Sequence, residues 1–196
     1  MGDLRPKILA FAGSLREGSY NKRLVKAAAE GARQAGAEVT FIDLRDFALP
    51  NYDGDIEASS GPPDGAIRLK AILKDHDALL IASPEYNSSI SGALKNAIDW
   101  ASRPLTKDEP PLDCFAGKTA ALLAASPGAL GGLRGLVHLR SILGNIRVIV
   151  LPDQRAVPRA HEAFDAEGRL TDPATREGVE TIGAELARVT AALLGG

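Results

Sequence analysis

Residues 7–13 read KILAFAG, apolar throughout after the first position, which is the pattern of a strand covered on both faces of a parallel sheet. Residues 39–44, 78–83, 118–125 and 146–151 carry further runs of this kind and predict four more strands. Between them the period changes to that of a helix. From Asn21 onward Leu24, Val25, Ala28, Ala32 and Ala35 form one stripe, and Gly36 stands where a helix stops. Residues 66–73, 91–102, 133–143 and 173–194 predict the remaining helices. Two stretches break the pattern. Residues 47–63, rich in Pro, Gly, Ser and Asp, predict a long exposed connection of the length that forms functional rims, and residues 103–117, with three prolines, predict a loop.

Strands and helices that alternate in this way predict an α/β domain spanning residues 1–196, with a doubly wound parallel sheet. The loops after the first, third and fourth strands begin at Ser14, Pro84 and Ser126, so all three open at the carboxyl edge of the sheet. Ligands of such folds bind there.

Composition narrows the partners. With 23 Lys and Arg against 25 Asp and Glu, the net charge is −2, which leaves no general electrostatic footprint for nucleic acid. No apolar run approaches the ~20 residues of a membrane span. The start of the chain reads as a first strand rather than a secretory signal, and the single Cys114 fits a reducing compartment, so a cytoplasmic location is expected. His76, His138 and His161 fall at no metal-ligand spacing, and Asp53-Gly-Asp55-Ile-Glu57 has Ala58 where a calcium loop needs Gly; no metal is expected.

The three loops differ in chemistry. The first places Ser14, Arg16, Ser19 and Asn21 just before a helix, offering hydroxyls, a guanidinium and free N–H groups to one anion, though Ser and Asn here also read as plain helix caps. The glycine spacings supply neither a dinucleotide fingerprint nor a P-loop. The second, Ser83-Pro-Glu-Tyr-Asn-Ser-Ser-Ile-Ser-Gly92, combines a ring, amides and a carboxylate against which a flat heterocycle can stack; the alternative is a stiff turn with Ser91 as cap. The third, Ser126-Pro-Gly-Ala-Leu-Gly-Gly132, lets backbone approach a ligand, or is simply a flexible turn.

Taken together, Gly13-Ser-Leu-Arg-Glu-Gly-Ser-Tyr-Asn21, Pro84-Glu-Tyr-Asn87 and Gly92-Ala-Leu-Lys-Asn-Ala-Ile-Asp-Trp100 resemble the NAD(P)H-dependent FMN reductase family, which includes bacterial quinone, chromate and azo-dye reductases. The resemblance implies a flavodoxin-like fold with strand order 2-1-3-4-5 and FMN at its carboxyl edge. By it, Ser14, Arg16, Ser19 and Asn21 match the FMN phosphate positions, with Leu15 and Tyr20 beside them. Pro84, Glu85, Tyr86 and Asn87 match the segment along the isoalloxazine ring, and Ser126 and Gly128 the third loop. Where many relatives have Pro, this chain has Ser91, which predicts one more free N–H and a looser turn.

The resemblance further implies hydride transfer from NAD(P)H to the flavin N5, then delivery of electrons to a small-molecule acceptor such as free flavin, a quinone, an azo dye or a metal oxyanion. No side chain is needed as acid or base for the hydride step, so no catalytic residue is assigned. Relatives commonly form homodimers or homotetramers. Two other functions remain open at this point: a flavodoxin-type electron carrier, and a non-catalytic flavin-binding regulatory protein.

Overall fold

The computed structural model describes residues 5–195. Strand β1 (Lys7–Ala12) leads into α1 (Tyr20–Gln34), β2 (Glu38–Asp43), a 3₁₀ turn (Leu44–Phe47), α2 (Gly54–Ser60), α3 (Asp64–Lys74) and β3 (Ala78–Ala82). A small hairpin, β4 (Glu85–Tyr86) and β5 (Ser89–Ile90), precedes α4 (Gly92–Ala101). Then follow β6 (Thr119–Ala125), α5 (Leu133–Asn145), β7 (Ile149–Val157), α6 (Ala160–Ala163) and α7 (Pro173–Leu194). The main sheet runs β2-β1-β3-β6-β7 with every pairing parallel, which is the flavodoxin-like order 2-1-3-4-5 once the hairpin is set aside.

The period of two along each strand divides the core. Ile8, Ala10, Leu80, Ala121 and Leu123 face Leu24, Val25 and Ala28 of α1 and Val179 and Leu186 of α7. Leu9, Phe11, Leu79, Ile81 and Leu122 face Leu69 and Leu73 of α3, Leu94 and Ile98 of α4, and Leu136 and Leu139 of α5. Both faces of the central strands are thus filled, and each fully buried Leu or Ile contributes about 1.5–3 kcal/mol. Helices α1 and α7 cross where Gly31 and Gly183 lie: a Cβ on Gly31 would fall 1.9 Å from the Glu180 carbonyl oxygen, and one on Gly183 would fall 1.8 Å from that of Ala28. Neither position accepts a side chain. No helix among the described residues is long and apolar enough to cross a membrane.

Three elements depart from the sequence expectation. The connection 47–63 contains a helix, α2, with no buried residue; its signal is a cap, Asp53, which accepts from the Asp55 N–H at 2.8 Å, rather than an apolar stripe. The last strand is Ile149–Val157 instead of 146–151, because β7 is the sheet edge, where a polar run and Pro152 are tolerated and the register shifts between Ala120 and Leu122. The second loop is not irregular: Asn87 (φ 52°) and Ser88 (φ 65°) both sit in the left-handed region and make the two-residue turn between β4 and β5, the type I′ pattern of a tight hairpin.

Candidate functional site

The first loop ends on Ser19, the N-cap of α1, whose backbone is extended and whose hydroxyl makes no capping hydrogen bond. The Lys22 and Arg23 N–H groups both turn back to the Ser19 carbonyl, so Tyr20 and Asn21 are left as the first helical residues, with N–H groups that have no acceptor inside the helix. Ser14 is buried, its Oγ accepts from the Arg16 N–H at 3.3 Å, and its own hydroxyl proton remains free to donate. Arg16 stands exposed at the rim and enters no ion pair among the described residues. Buried Ser14 and Ser19, an open helix end with its partial positive charge, and one free guanidinium together suit a phosphate monoester. The FMN implied by the sequence therefore fits this donor set at its phosphate end.

Asn21 is used differently from the sequence expectation. Its Nδ2 donates to the Ala125 carbonyl and its Oδ1 accepts from the Ala125 N–H, both at 2.9 Å, so the amide locks α1 to the end of β6. What Asn21 offers an anion is its backbone N–H. The Tyr20 ring stacks on Phe164 with centroids 6.0 Å apart.

In the second loop, Ser91 corrects the expectation of a looser turn. Its Oγ accepts from the Leu94 N–H at 3.1 Å, capping α4, and donates to the Gly13 carbonyl. A hydroxyl bridge of this kind fastens the second loop to the first. Glu85 is fastened too: its carboxylate accepts from the backbone N–H groups of Arg134 (3.0 Å) and Gly135 (3.2 Å) at the start of α5 and pairs with the Arg134 guanidinium. Burial alone would raise the Glu85 pKa, but Arg134 and these N–H groups outweigh it and hold the carboxyl below the ordinary carboxylate range. Asn87 lies at the hairpin tip. Tyr86 stays half exposed.

The third loop is shaped by backbone. Gly131 and Gly132 both take positive φ, and a Cβ on Gly131 would strike the Val157–Pro158 backbone at 2.7 Å. Ser126 Oγ accepts from the Gly128 N–H at 3.2 Å, and the Gly128 carbonyl receives the Gly131 and Arg159 N–H groups. Side chains thus tie the elements around the three loops: Ser91 joins the second loop to Gly13, Asn21 joins α1 to the end of β6 before the third loop, and Glu85 joins the second loop to the start of α5 after the third.

These loops enclose a cavity of about 60 Å³ lined by Ser14, Arg16, Ser19, Tyr20, Asn21, Pro84, Glu85, Tyr86 and Ser126, with Ala125 and Pro127. Leu15, Asn87 and Gly128 lie outside its wall. Leu15 is exposed and its carbonyl accepts from Arg45 Nε at 2.9 Å. Ala125 and Pro127 were missed by sequence reasoning, although both adjoin Ser126. A far wider cleft of about 810 Å³ opens beside α1, touching the first through Ser19. It holds no residue of the second or third loop, its Lys22 is already paired with Asp43, and Arg23 and Lys26 lie over the Tyr20 and Phe41 rings. Size does not make it the site.

Residues 6–162 match the family described as NADPH-dependent FMN reductase. The chain is 42% identical over 172 residues to an NAD(P)H-dependent FMN reductase of Pseudomonas aeruginosa, covering 87% of this chain and 88% of that one. It is 37% identical over 184 residues to a probable NADPH:quinone oxidoreductase of Oryza sativa, covering 90% and 86%. Among solved structures, a flavoenzyme NAD(P)H:(acceptor) oxidoreductase from Paracoccus denitrificans superposes with a TM-score of 0.79 at 30% identity, covering 95% of this chain and 98% of that one. The fold, the three-loop site and these similarities agree, and the chain belongs to the NADPH-dependent FMN reductase family, as an oxidoreductase that uses FMN and NAD(P)H.

Proposed function

We propose that this protein passes reducing equivalents from NAD(P)H, by way of FMN, to a quinone. The observation that carries the cofactor reading is the open N-terminus of α1, where Ser14, Ser19, Arg16 and two unpartnered N–H groups converge. Ser14, Arg16 and Ser19 hold the phosphate, with the Tyr20 and Asn21 backbone. The small cavity has room for that group alone, so Pro84, Glu85, Tyr86 and Asn87 would hold the ring, with Ser126 and Gly128 at its border. Bound there, FMN would supply the hydride-accepting N5 and the means to pass electrons on to the second substrate. This chain's residues bind and orient; none has to move a proton for the hydride step.

A quinone is favoured over a charged acceptor by the outer wall. Tyr86, Leu130 and Leu133 are each 42–52% exposed around the hairpin and the third loop, which suits a flat apolar ring. Val137, four residues beyond Leu133 on the same face of α5 and also exposed, continues the apolar surface past that wall, and we assign its side of the helix to subunit contact in a homodimer or homotetramer. Cys114, buried and with its thiol pushed up to about 11 by that burial, is a free cysteine of the kind kept in a reducing compartment, in line with a cytoplasmic protein. Steady-state oxidation of NADH and of NADPH, measured with 1,4-benzoquinone, free FMN and an azo dye in turn, tests the reading. Quinone is expected to be the fastest acceptor, with parallel initial-rate plots because it replaces the nicotinamide at the ring. A rate unchanged by adding quinone would remove it as the acceptor.

A further inference from the structure

Glu85 borders the cavity, yet its carboxylate is turned from solvent, with 9% of the side chain exposed, and serves α5. Oε2 accepts from the Arg134 and Gly135 N–H groups, while Oε1 accepts from Arg134 Nε at 2.8 Å and Nη2 at 2.5 Å. From the other strand of the hairpin, Ser89 Oγ bonds His138 Nδ1 at 2.9 Å, one turn further along α5. Both strands of β4–β5 are therefore fastened to the same helix. The hairpin needs it, because two residues per strand are far too few to hold a ribbon by themselves.

We propose that Glu85 is a positioning residue: by binding the first turn of α5 it fixes the hairpin, and with it the Pro84–Asn87 backbone, at the place where the flavin ring and the nicotinamide have to meet. The inference rests on the functional reading above. Four donors converge on two carboxylate oxygens, an arrangement that glutamine cannot reproduce, since its single oxygen serves part of the set and its NH₂ group opposes the guanidinium. Arg134→Met is the milder change, because it leaves both backbone bonds to Glu85 in place.

The test uses FMN-loaded protein. Anaerobic reduction by NADPH is followed in a stopped-flow instrument and normalised to bound flavin, while FMN affinity and the visible spectrum are measured in parallel. Glu85→Gln is expected to slow reduction by up to about 100-fold, the cost of a misplacement of roughly 1 Å. Its FMN affinity should stay close to wild type, because the phosphate is held at α1, and its absorption band should shift. Arg134→Met should fall between the two. Reduction at the wild-type rate per bound flavin, or a loss that follows FMN occupancy alone, overturns the proposal. If Glu85→Gln does not fold, Arg134→Met decides, and a wild-type rate in it has the same force. Wild-type protein that neither nicotinamide reduces would instead overturn the functional reading itself.

Discussion

Helices α1 and α5 both begin at the carboxyl edge of the sheet, each directly after a loop that follows a buried strand, and their first turns are finished in opposite ways. At α5 the Leu133 N–H returns to Leu130, and the next two, on Arg134 and Gly135, go to the Glu85 carboxylate. The chain supplies its own anion. At α1 the N-cap Ser19 makes no side-chain cap, and the Tyr20 and Asn21 N–H groups have no acceptor in the helix. Helix α3 also starts without a side-chain cap, but at α1 the bare N–H groups lie beside buried Ser14 and Ser19 and the exposed Arg16 guanidinium, donors that suit an anion. On this contrast we propose α1 for the phosphate and α5 for the rigid framework, two jobs that a sequence motif alone does not separate.

Making the two ends alike is the sharpest way to break the comparison. Ser19→Asp puts an internal carboxylate at the start of α1, as Glu85 does at α5. Two charge-assisted bonds to phosphate are then lost and a like charge is added, so FMN affinity should fall by at least about 3–6 kcal/mol. The apoprotein should melt higher, by about 1 kcal/mol of added stability from the new cap. Titration of apoprotein with FMN, alongside thermal melts, reads both. Unchanged FMN binding would place the phosphate elsewhere.

Next in size is Arg16→Ala, which leaves the helix end open and removes only the exposed guanidinium. FMN binding should weaken by about 1.5–3 kcal/mol, while riboflavin, which has no phosphate, should bind as it does to the wild type. Flavin fluorescence quenching measures both ligands. An equal loss for riboflavin would show Arg16 acting on the ring or on the fold.

These roles differ in how readable they were. The central strands were legible because β1, β3 and β6 are buried on both faces and so read as unbroken apolar runs. Helix α2 was not, since it buries nothing and is held from outside by the Glu57 pair with Arg103. In the candidate site, the three loops were legible and the structure brings them together, yet the duties of individual side chains were hidden. Asn21 reaches a partner 104 residues away, Ser91 one 78 away, and Glu85 one 49 away. Such partners follow from strand order, which brings the three loops together, and no local pattern encodes them. Asn96 and Trp100 of the family motif are a parallel case: both donate to the Pro50 carbonyl and pin the rim against α4.

The smallest expected effect separates the two helix ends along the pH axis. The Glu85 carboxyl is held below its ordinary value of 4.5, so its contribution to stability is complete above about that pH and is lost as pH falls through the lower folded value. The contribution itself is small, about 1 kcal/mol, because Arg134 is largely exposed and what remains is a helix-end carboxylate. Urea unfolding of the apoprotein between pH 7 and 3 should therefore show wild type and Glu85→Gln separated at neutral pH and converging below about pH 4.5. The α1 end should respond earlier, because its anion is the ligand's phosphate, with a second pKa near about 6. As pH drops through that value the dianion is lost, and FMN affinity should fall while the Glu85 contribution is still intact. Convergence of the two proteins already at pH 6 would mean that Glu85 is not held in its charged form by α5. An FMN affinity flat from pH 7 to 5 would mean that the α1 end does not read the phosphate charge, and the contrast between the two helices would lose its chemical basis.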